Sequence, residues 1–208
     1  MINIGKMRQN FIERTARKPQ GEWAKKNYND PKAHYKSFRI ILNKLKLTKN
    51  DRYLEIGCGG GLLLEQALQV VNKASAIDHS PDMIETTKRK LKNISPERID
   101  LITGNAAKLP WNNESFTAAA SANMFFFVEE PQKVLNEIYR VLRQGGRFAM
   151  VTMGNSILGK ITFGWLYSLK AYSDKKMAIM LEQAGFNTIK VKSGAFLQVC
   201  YAEKNNYM

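Results

Sequence analysis

Residues 53–61 read Tyr-Leu-Glu-Ile-Gly-Cys-Gly-Gly-Gly, and the fold turns on how that stretch is taken. Tyr53, Leu54 and Ile56 make a short apolar run of the kind that forms a buried strand. The run empties into glycines at 57, 59, 60 and 61, after which Leu62, Leu63, Leu64, Ala67 and Leu68 resume at helical spacing. Strand, tight turn and helix in that order are where an open α/β sheet lays a nucleotide-like ligand against backbone. Glycine serves there because a Cβ would block close approach and because such turns use positive φ.

The spacing restricts the ligand. A dinucleotide turn runs Gly-x-Gly-x-x-Gly and would place its third glycine at position 62, which is Leu62. Glu55 stands two residues before Gly57, where a carboxylate would repel a pyrophosphate. A ligand with no phosphates and a positive amine suits that acid, and S-adenosylmethionine carries both an ammonium and a sulfonium. Glu55, Gly57, Gly59 and Gly61 match the motif Glu/Asp-x-Gly-x-Gly-x-Gly, and in them the chain resembles the class I S-adenosylmethionine-dependent methyltransferases. A structural glycine turn that binds nothing is the alternative reading of these nine residues taken alone.

Length and composition set the outer bounds. A chain of 208 residues is most simply one compact unit with a full core. No run of about 18 apolar residues suggests a membrane span, and the basic N-terminus lacks the apolar stretch of a secretory signal. The two cysteines, Cys58 and Cys200, form no Cys-x-x-Cys pair, so neither a disulfide framework nor a metal site is expected, and a reducing cytoplasm fits. The net charge is +14, and residues 1–52 hold 14 Lys and Arg against 4 Asp and Glu. Such asymmetry marks either a nucleic-acid- or membrane-facing arm or a solvated lysine-rich face. The interspersed charges favour the solvated face.

Along the chain, Lys18-Pro19-Gln20-Gly21 reads as a turn, and Asp30-Pro31 as an N-cap with proline at the first helical position. Tyr35, Phe38, Ile41, Leu42 and Leu45 then predict an amphipathic helix ending near Leu47. Strands are expected at 52–57, 74–78, 99–103, 116–122, 147–153, 186–192 and 196–203. Helices are expected at 61–71, 82–92, 132–143 and 174–184, the third stopping at Gln144-Gly145-Gly146 with Arg140 and Arg143 in its last turn. The expected fold class is α/β: a Rossmann-like, seven-stranded, mostly parallel sheet with helices on both faces and an antiparallel C-terminal edge hairpin. Residues 1–48 would form a helical cap. Residues 49–208 would form the methyltransferase domain, with a lid insertion at about 154–172.

Asp78 ends the second expected strand 21 positions after Gly57, where a carboxylate can accept from both ribose hydroxyls. Ser80-Pro81 opens the next helix, with Ser80 as its cap. Asp78, Ser80 and Met83 also fit the family's Asp-x-Ser-x-x-Met pattern. Gly104-Asn105-Ala106 stands where the family has Gly-Asp-Ala at the adenine. The resemblance therefore implies adenine contacts from Asn105 and the Ala106 backbone, with an amide oxygen accepting in place of a carboxylate. A second departure is Thr117, where relatives have Asp.

Leu109-Pro110-Trp111, the run from Glu137 through Gly146, and Leu181-Glu182-x-Ala184-Gly185-Phe186 extend the resemblance over residues 50–193. Arg17-Lys18-Pro19-x-Gly21 resembles a leader of the small-molecule branch that includes ubiquinone and menaquinone biosynthesis. Four loops at strand ends, after 57, 78, 104 and 122, would converge on one crevice holding S-adenosyl-L-methionine. The expected cofactor residues are Glu55, Gly57, Cys58, Gly59, Gly61, Asp78, His79, Met83, Asn105, Ala106 and Asn123.

No separate catalytic cluster stands out, because an activated methyl donor needs positioning more than acid–base chemistry. Asn123, His34 and Tyr35 are the candidates near the acceptor, with a surface histidine as the alternative for His34. Met124-Phe125-Phe126-Phe127-Val128 and the apolar stretch Ile157–Leu169 suggest a lid over a small, partly apolar acceptor. The competing readings are a tRNA or rRNA methyltransferase using the basic first quarter, and a non-catalytic protein that keeps the S-adenosylmethionine pocket. The chain has no Asn/Asp-Pro-Pro-Tyr/Phe segment and no nucleophilic cysteine pair, which counts against the RNA enzyme.

Overall fold

The computed structural model describes residues 18–155 and 169–205. The described chain begins with helix α1 (Gly21–Asn29), a 3-10 turn (Lys32–His34) and helix α2 (Tyr35–Leu45). It then alternates through β1 (Arg52–Ile56), α3 (Leu62–Leu68), β2 (Lys73–Asp78), α4 (Pro81–Lys90), β3 (Ile99–Thr103) and β4 (Phe116–Ala122). The remainder is α5 (Pro131–Val141), β5 (Leu142–Met153), α6 (Asp174–Gln183), β6 (Asn187–Ser193) and β7 (Leu197–Lys204).

Among the described residues the strands form one seven-stranded sheet in the order β3-β2-β1-β4-β5-β7-β6. The first five are parallel, and β7 runs antiparallel to both β5 and β6, giving the expected Rossmann-like sheet with its edge hairpin. The chain winds outward from β1 to β3, then returns to lay β4 on the other side of β1. The carboxyl ends of β1 and β4 therefore flank the switch-point crevice, where ligands of such sheets bind.

Both faces of the central strands are covered, so β4 can be built almost entirely from small residues. Its sequence, Phe-Thr-Ala-Ala-Ala-Ser-Ala, has poor strand propensity, but every position from Phe116 to Ser121 is buried. Alanines there let helices approach both faces closely. On one face Val134, Leu135, Ile138 and Val141 of α5 pack with Leu54, Ile56, Ala119 and Phe148. On the other, Phe38, Ile41 and Leu45 of α2 pack with Tyr53, Ala118, Ala120 and Val151. Each such fully buried aliphatic or aromatic side chain contributes about 1.5–3 kcal/mol by leaving water.

Several expected boundaries move. Helix α1 is an addition to the expected plan. It buries only Ala24 and is tied to α4 by polar contacts, Lys25 to Glu85 at 3.2 Å and Gly21 N to Asp82 Oδ2 at 2.6 Å. Asp30 and Pro31 do not start the next helix. Pro31 leads a 3-10 turn, the Tyr35 hydroxyl donates to Asp30, and α2 stops at Leu45 with Lys46 left-handed. Helix α5 ends at Val141 rather than at the glycine pair, so Arg143 lies outside it. Leu142 already pairs with Phe116, and Gly145 takes its positive φ of 73° inside an irregular start to β5. Helix α3 is short, Leu62–Leu68. Most of the lid stretch expected at 154–172 lies outside the described residues.

Candidate cofactor and acceptor site

The site begins where β1 ends. Gly57 takes φ 74°, and its N–H, with that of Cys58, donates back to the Ile77 carbonyl at 2.8 and 3.3 Å. This locks the turn onto β2. A Cβ on Gly57 would lie 2.7 Å from Cγ of Met124, so the turn and the loop after β4 meet here in van der Waals contact.

Asp78, at the end of β2, holds the same turn from the other side. Its Oδ2 accepts from Gly59 N at 2.9 Å and its Oδ1 from Ser80 N at 2.9 Å. Burial raises its pKa against the lowering effect of those bonds. Ser80 caps α4 through Met83 N at 3.4 Å and donates to the Pro19 carbonyl, which draws the N-terminal segment over the turn.

Two concavities meet at this point. The smaller, about 60 Å³, is lined by Glu55, Cys58, Gly59, His34, Phe38 and Asn123 among others. The larger, about 320 Å³, is lined by Gly104, Asn105, Ala106, Ala107, Val128 and Glu130 among others. Gly57, Asp78, His79, Met124 and Phe127 border both. A long ligand crossing Gly57 would have one end at each.

The smaller cavity holds two buried polar atoms that have no hydrogen-bond partner, Oε2 of Glu55 and Nδ2 of Asn123. Burial, then the nearby Asp78 charge, pushes the Glu55 carboxyl well up. Asn123 follows β4 with φ 55°, and its Oδ1 accepts from the Ser37 hydroxyl of α2 at 3.3 Å. The cavity lining thus includes a carboxyl oxygen and an amide donor, both desolvated. An orphaned buried group of this kind costs about 1–3 kcal/mol until something satisfies it. The zwitterionic amino-acid end of S-adenosylmethionine has the complementary pair, an ammonium for Glu55 and a carboxylate for the Asn123 amide. The residues present therefore fit the cofactor.

The other sequence candidates fall in three places. Gly57, Cys58, Gly59, His79 and Ala106 line the concavities with Glu55, Asp78, Asn105 and Asn123. Asn105 is exposed, and its Oδ1 accepts from Ala107 N at 2.9 Å. Gly61 and Met83 lie behind the site. A Cβ on Gly61 would strike Thr87, and Met83 is fully buried in α4. His34 sits half-buried in the cavity wall, edge-on to Phe38, with its pKa lowered by burial. Tyr35 is exposed, faces Asp30 and is outside both linings. Burial, then Asp78 and Glu55, pushes the Cys58 thiol well up, so it stays protonated and is no nucleophile. Sequence reasoning missed Tyr28, Ser37 and Phe38: α1 leaves no periodic signal, and the cap expected over residues 1–48 does not say which of its residues reach the turn.

Thr117 lies at the amino end of the central strand β4, the opposite end from the cofactor turn. Its hydroxyl donates to Asp51 Oδ1 at 2.6 Å and accepts from Arg52 N at 3.0 Å, and Arg147 joins Asp51 at 2.8 Å. That departure from the family pattern is architectural. Among the described residues no cluster of His, Cys, Asp or Glu is placed to hold a metal, and no helix is long and apolar enough to cross a membrane.

Residues 54–150 match the family model of the methyltransferase domain. This stretch is a methyltransferase domain, of the S-adenosylmethionine-dependent kind. A demethylmenaquinone methyltransferase from Oceanobacillus iheyensis is 25% identical over 76% of this chain and 79% of its own length. The biotin biosynthesis bifunctional protein BioHC of Teredinibacter turnerae is 28% identical over 67% of this chain, which spans only 27% of that longer protein. Among solved structures, the Haemonchus contortus phosphoethanolamine N-methyltransferase 2 in complex with S-adenosyl-L-methionine superimposes with a TM-score of 0.80. It has 15% identity and covers 96% of this chain and 60% of that one, a likeness of fold.

Proposed function

We propose that this methyltransferase transfers the methyl group of S-adenosyl-L-methionine to a small, partly apolar acceptor. The observation that carries the reading is the paired orphan groups, Glu55 Oε2 and Asn123 Nδ2, at the end of a glycine turn braced by Asp78. Glu55 and Asn123 would hold the amino-acid end, Asp78 the ribose, and the Asn105–Ala106 turn the adenine.

The cofactor supplies an already activated methyl group on a sulfonium. The chain's own contribution is then to align the acceptor and exclude water, which supplies up to about 7–11 kcal/mol of the barrier. Phe38, Leu62, Met124 and Phe127 in the cavity wall support an apolar acceptor face. The quinone precursor named for the Oceanobacillus relative has that character. His34, kept neutral by burial, would accept the proton that an acceptor hydroxyl or amine releases.

Titration calorimetry with S-adenosylmethionine and with its demethylated product tests the cofactor half. Saturable binding is expected, strongly weakened in Asp78→Ala; a folded protein that binds neither would overturn it. Transfer of labelled methyl groups to a panel of quinols, phenols and polar amines tests the acceptor half. Turnover confined to the polar amines would overturn that part.

A further inference from the structure

A third concavity, about 1000 Å³, lies between α2 and the C-terminal hairpin, away from the cofactor turn. Its border carries Lys36 and Lys44 from α2 and Lys190 and Lys192 from β6, and no Asp or Glu among the described residues lines it. All four lysines are exposed. Lysines on an edge strand such as β6 also discourage strand pairing between molecules. That need does not account for Lys36 and Lys44, which belong to a helix and border the same groove.

Between the charges the surface is apolar. Ile40 of α2 and Leu197 and Val199 of β7 line the groove half-buried, and Phe196 at the hairpin tip is 46% exposed. A ring of ammonium groups around an aliphatic floor matches an amphiphilic, negatively charged surface better than it matches a polyanion. Nucleic-acid grooves track phosphates and add aromatic platforms for bases, whereas this floor is chiefly aliphatic. Lysine stems lie along apolar surface while their heads reach anionic headgroups.

The groove also opens beside the reaction site. Ala33 borders it, whereas the next residue, His34, lines the cofactor cavity. Gly154 N donates to the Phe196 carbonyl at 2.9 Å, which holds the hairpin tip against the carboxyl end of β5.

We propose that the α2–hairpin groove docks the protein on the headgroup layer of an anionic phospholipid bilayer. Phe196 enters the acyl boundary and the four lysines meet the headgroups. Docked this way, the rim of the cofactor cavity faces the layer in which an apolar acceptor dissolves. That consequence rests on the proposed acceptor class, but the docking itself does not.

The test is flotation of the full chain with vesicles made of an equal mixture of phosphatidylcholine and phosphatidylglycerol, beside vesicles of phosphatidylcholine alone. Binding is expected only to the anionic vesicles and should fall with added salt. The double variant Lys190→Ala/Lys192→Ala should bind about 30-fold more weakly, at about fivefold per lysine. Lys88→Ala/Lys92→Ala on the far side, which lowers the net charge equally, should lose far less. Phe196→Ser should also weaken binding. Equal losses in the two double variants, or unchanged binding in the groove variant, would overturn the proposal. So would indifference to lipid charge, or a salt-sensitive RNA affinity that the groove variant alone loses in the absence of vesicle binding. S-adenosylmethionine affinity measured on the same variants should be unchanged, so failure of the surface and failure of the cofactor site read out separately.

Discussion

The Ser37 hydroxyl of α2 lies 3.3 Å from Oδ1 of Asn123, 86 residues further along the chain, and is placed to donate to it. Ser37 is buried, and Asn123 holds a left-handed backbone at the end of β4. With Oδ1 engaged by the cap helix, the amide NH2 of Asn123 is left without a protein partner in the wall of the smaller cavity. The α2 helix thereby orients a donor at the proposed cofactor site. Ser37→Ala should cost about 0.5–1.5 kcal/mol of binding, or about 2- to 12-fold in S-adenosylmethionine affinity, with little change in melting temperature. Calorimetry on Ser37→Ala and Ser37→Thr decides it. Equal loss in both, or none in either, would leave Ser37 as packing.

Glu55 predicts a pH dependence with a definite sign. Its carboxyl is pushed above the ordinary value of 4.5 by burial and by Asp78. Between 4.5 and the raised folded value, the folded protein holds a proton that the unfolded chain has released. Stability of the ligand-free protein therefore falls as pH rises through that window. A bound ammonium reverses the preference, so cofactor affinity should rise with pH over the same window while protons are released. Glu55→Gln should flatten both curves and raise the melting temperature of the free protein at neutral pH. Thermal melts and calorimetry in buffers of different ionisation enthalpy measure the two effects.

His34 predicts a different limb. Burial lowers its pKa below 6.5, so the imidazole is neutral throughout the neutral range. If it takes the acceptor's proton, turnover should be flat through neutrality and fall only below the lowered value. His34→Phe, which keeps the ring against Phe38, should remove that limb and reduce kcat by about 100-fold or more, with cofactor affinity retained. A pH–rate profile of kcat is the measurement, and an unchanged limb would assign it to another group.

The contrast between α1 and β1 shows what the sequence could carry. Tyr53 to Gly61 and Asp78 are legible because covalent geometry dictates them: a turn that tight needs glycine, and the acid ends a strand of fixed register. The parallel sheet is legible from the alternation of strand and helix patterns. Helix α1 is not, since it buries only Ala24 and is placed by Lys25, Gly21 and the Pro19 carbonyl acting on α4. Such polar ties leave no periodic trace. The end of α5 misleads for a similar reason. Gly145-Gly146 resembles a helix stop, whereas pairing of Leu142 with Phe116 had already started a strand. Thr117 departs from the family pattern without a role that the sequence assigns, and the structure supplies one: its partners Asp51 and Arg147 gather at the amino ends of the central strands, away from the cofactor turn.

The cap itself can be tested at Gly60. A Cβ there would lie 2.0 Å from the Tyr28 carbonyl oxygen and 2.6 Å from its carbon, and backbone atoms cannot yield as a side-chain end would. Gly60→Ala must therefore displace the end of α1, which is otherwise held by the buried Ala24 and a few polar contacts. Solvent-accessible ion pairs such as half-buried Lys25 with exposed Glu85 hold it by only about 0–1 kcal/mol each. The two core layers on the faces of the sheet do not depend on α1 and should survive. Limited proteolysis should open a new site near residues 18–34, with only a small loss in the main thermal transition. S-adenosylmethionine should still bind but leave faster, because Pro19 and Tyr28 no longer close the smaller cavity. Stopped-flow release kinetics would show it. An unchanged off-rate with a dislodged α1 would mean that the cap does not guard the cofactor.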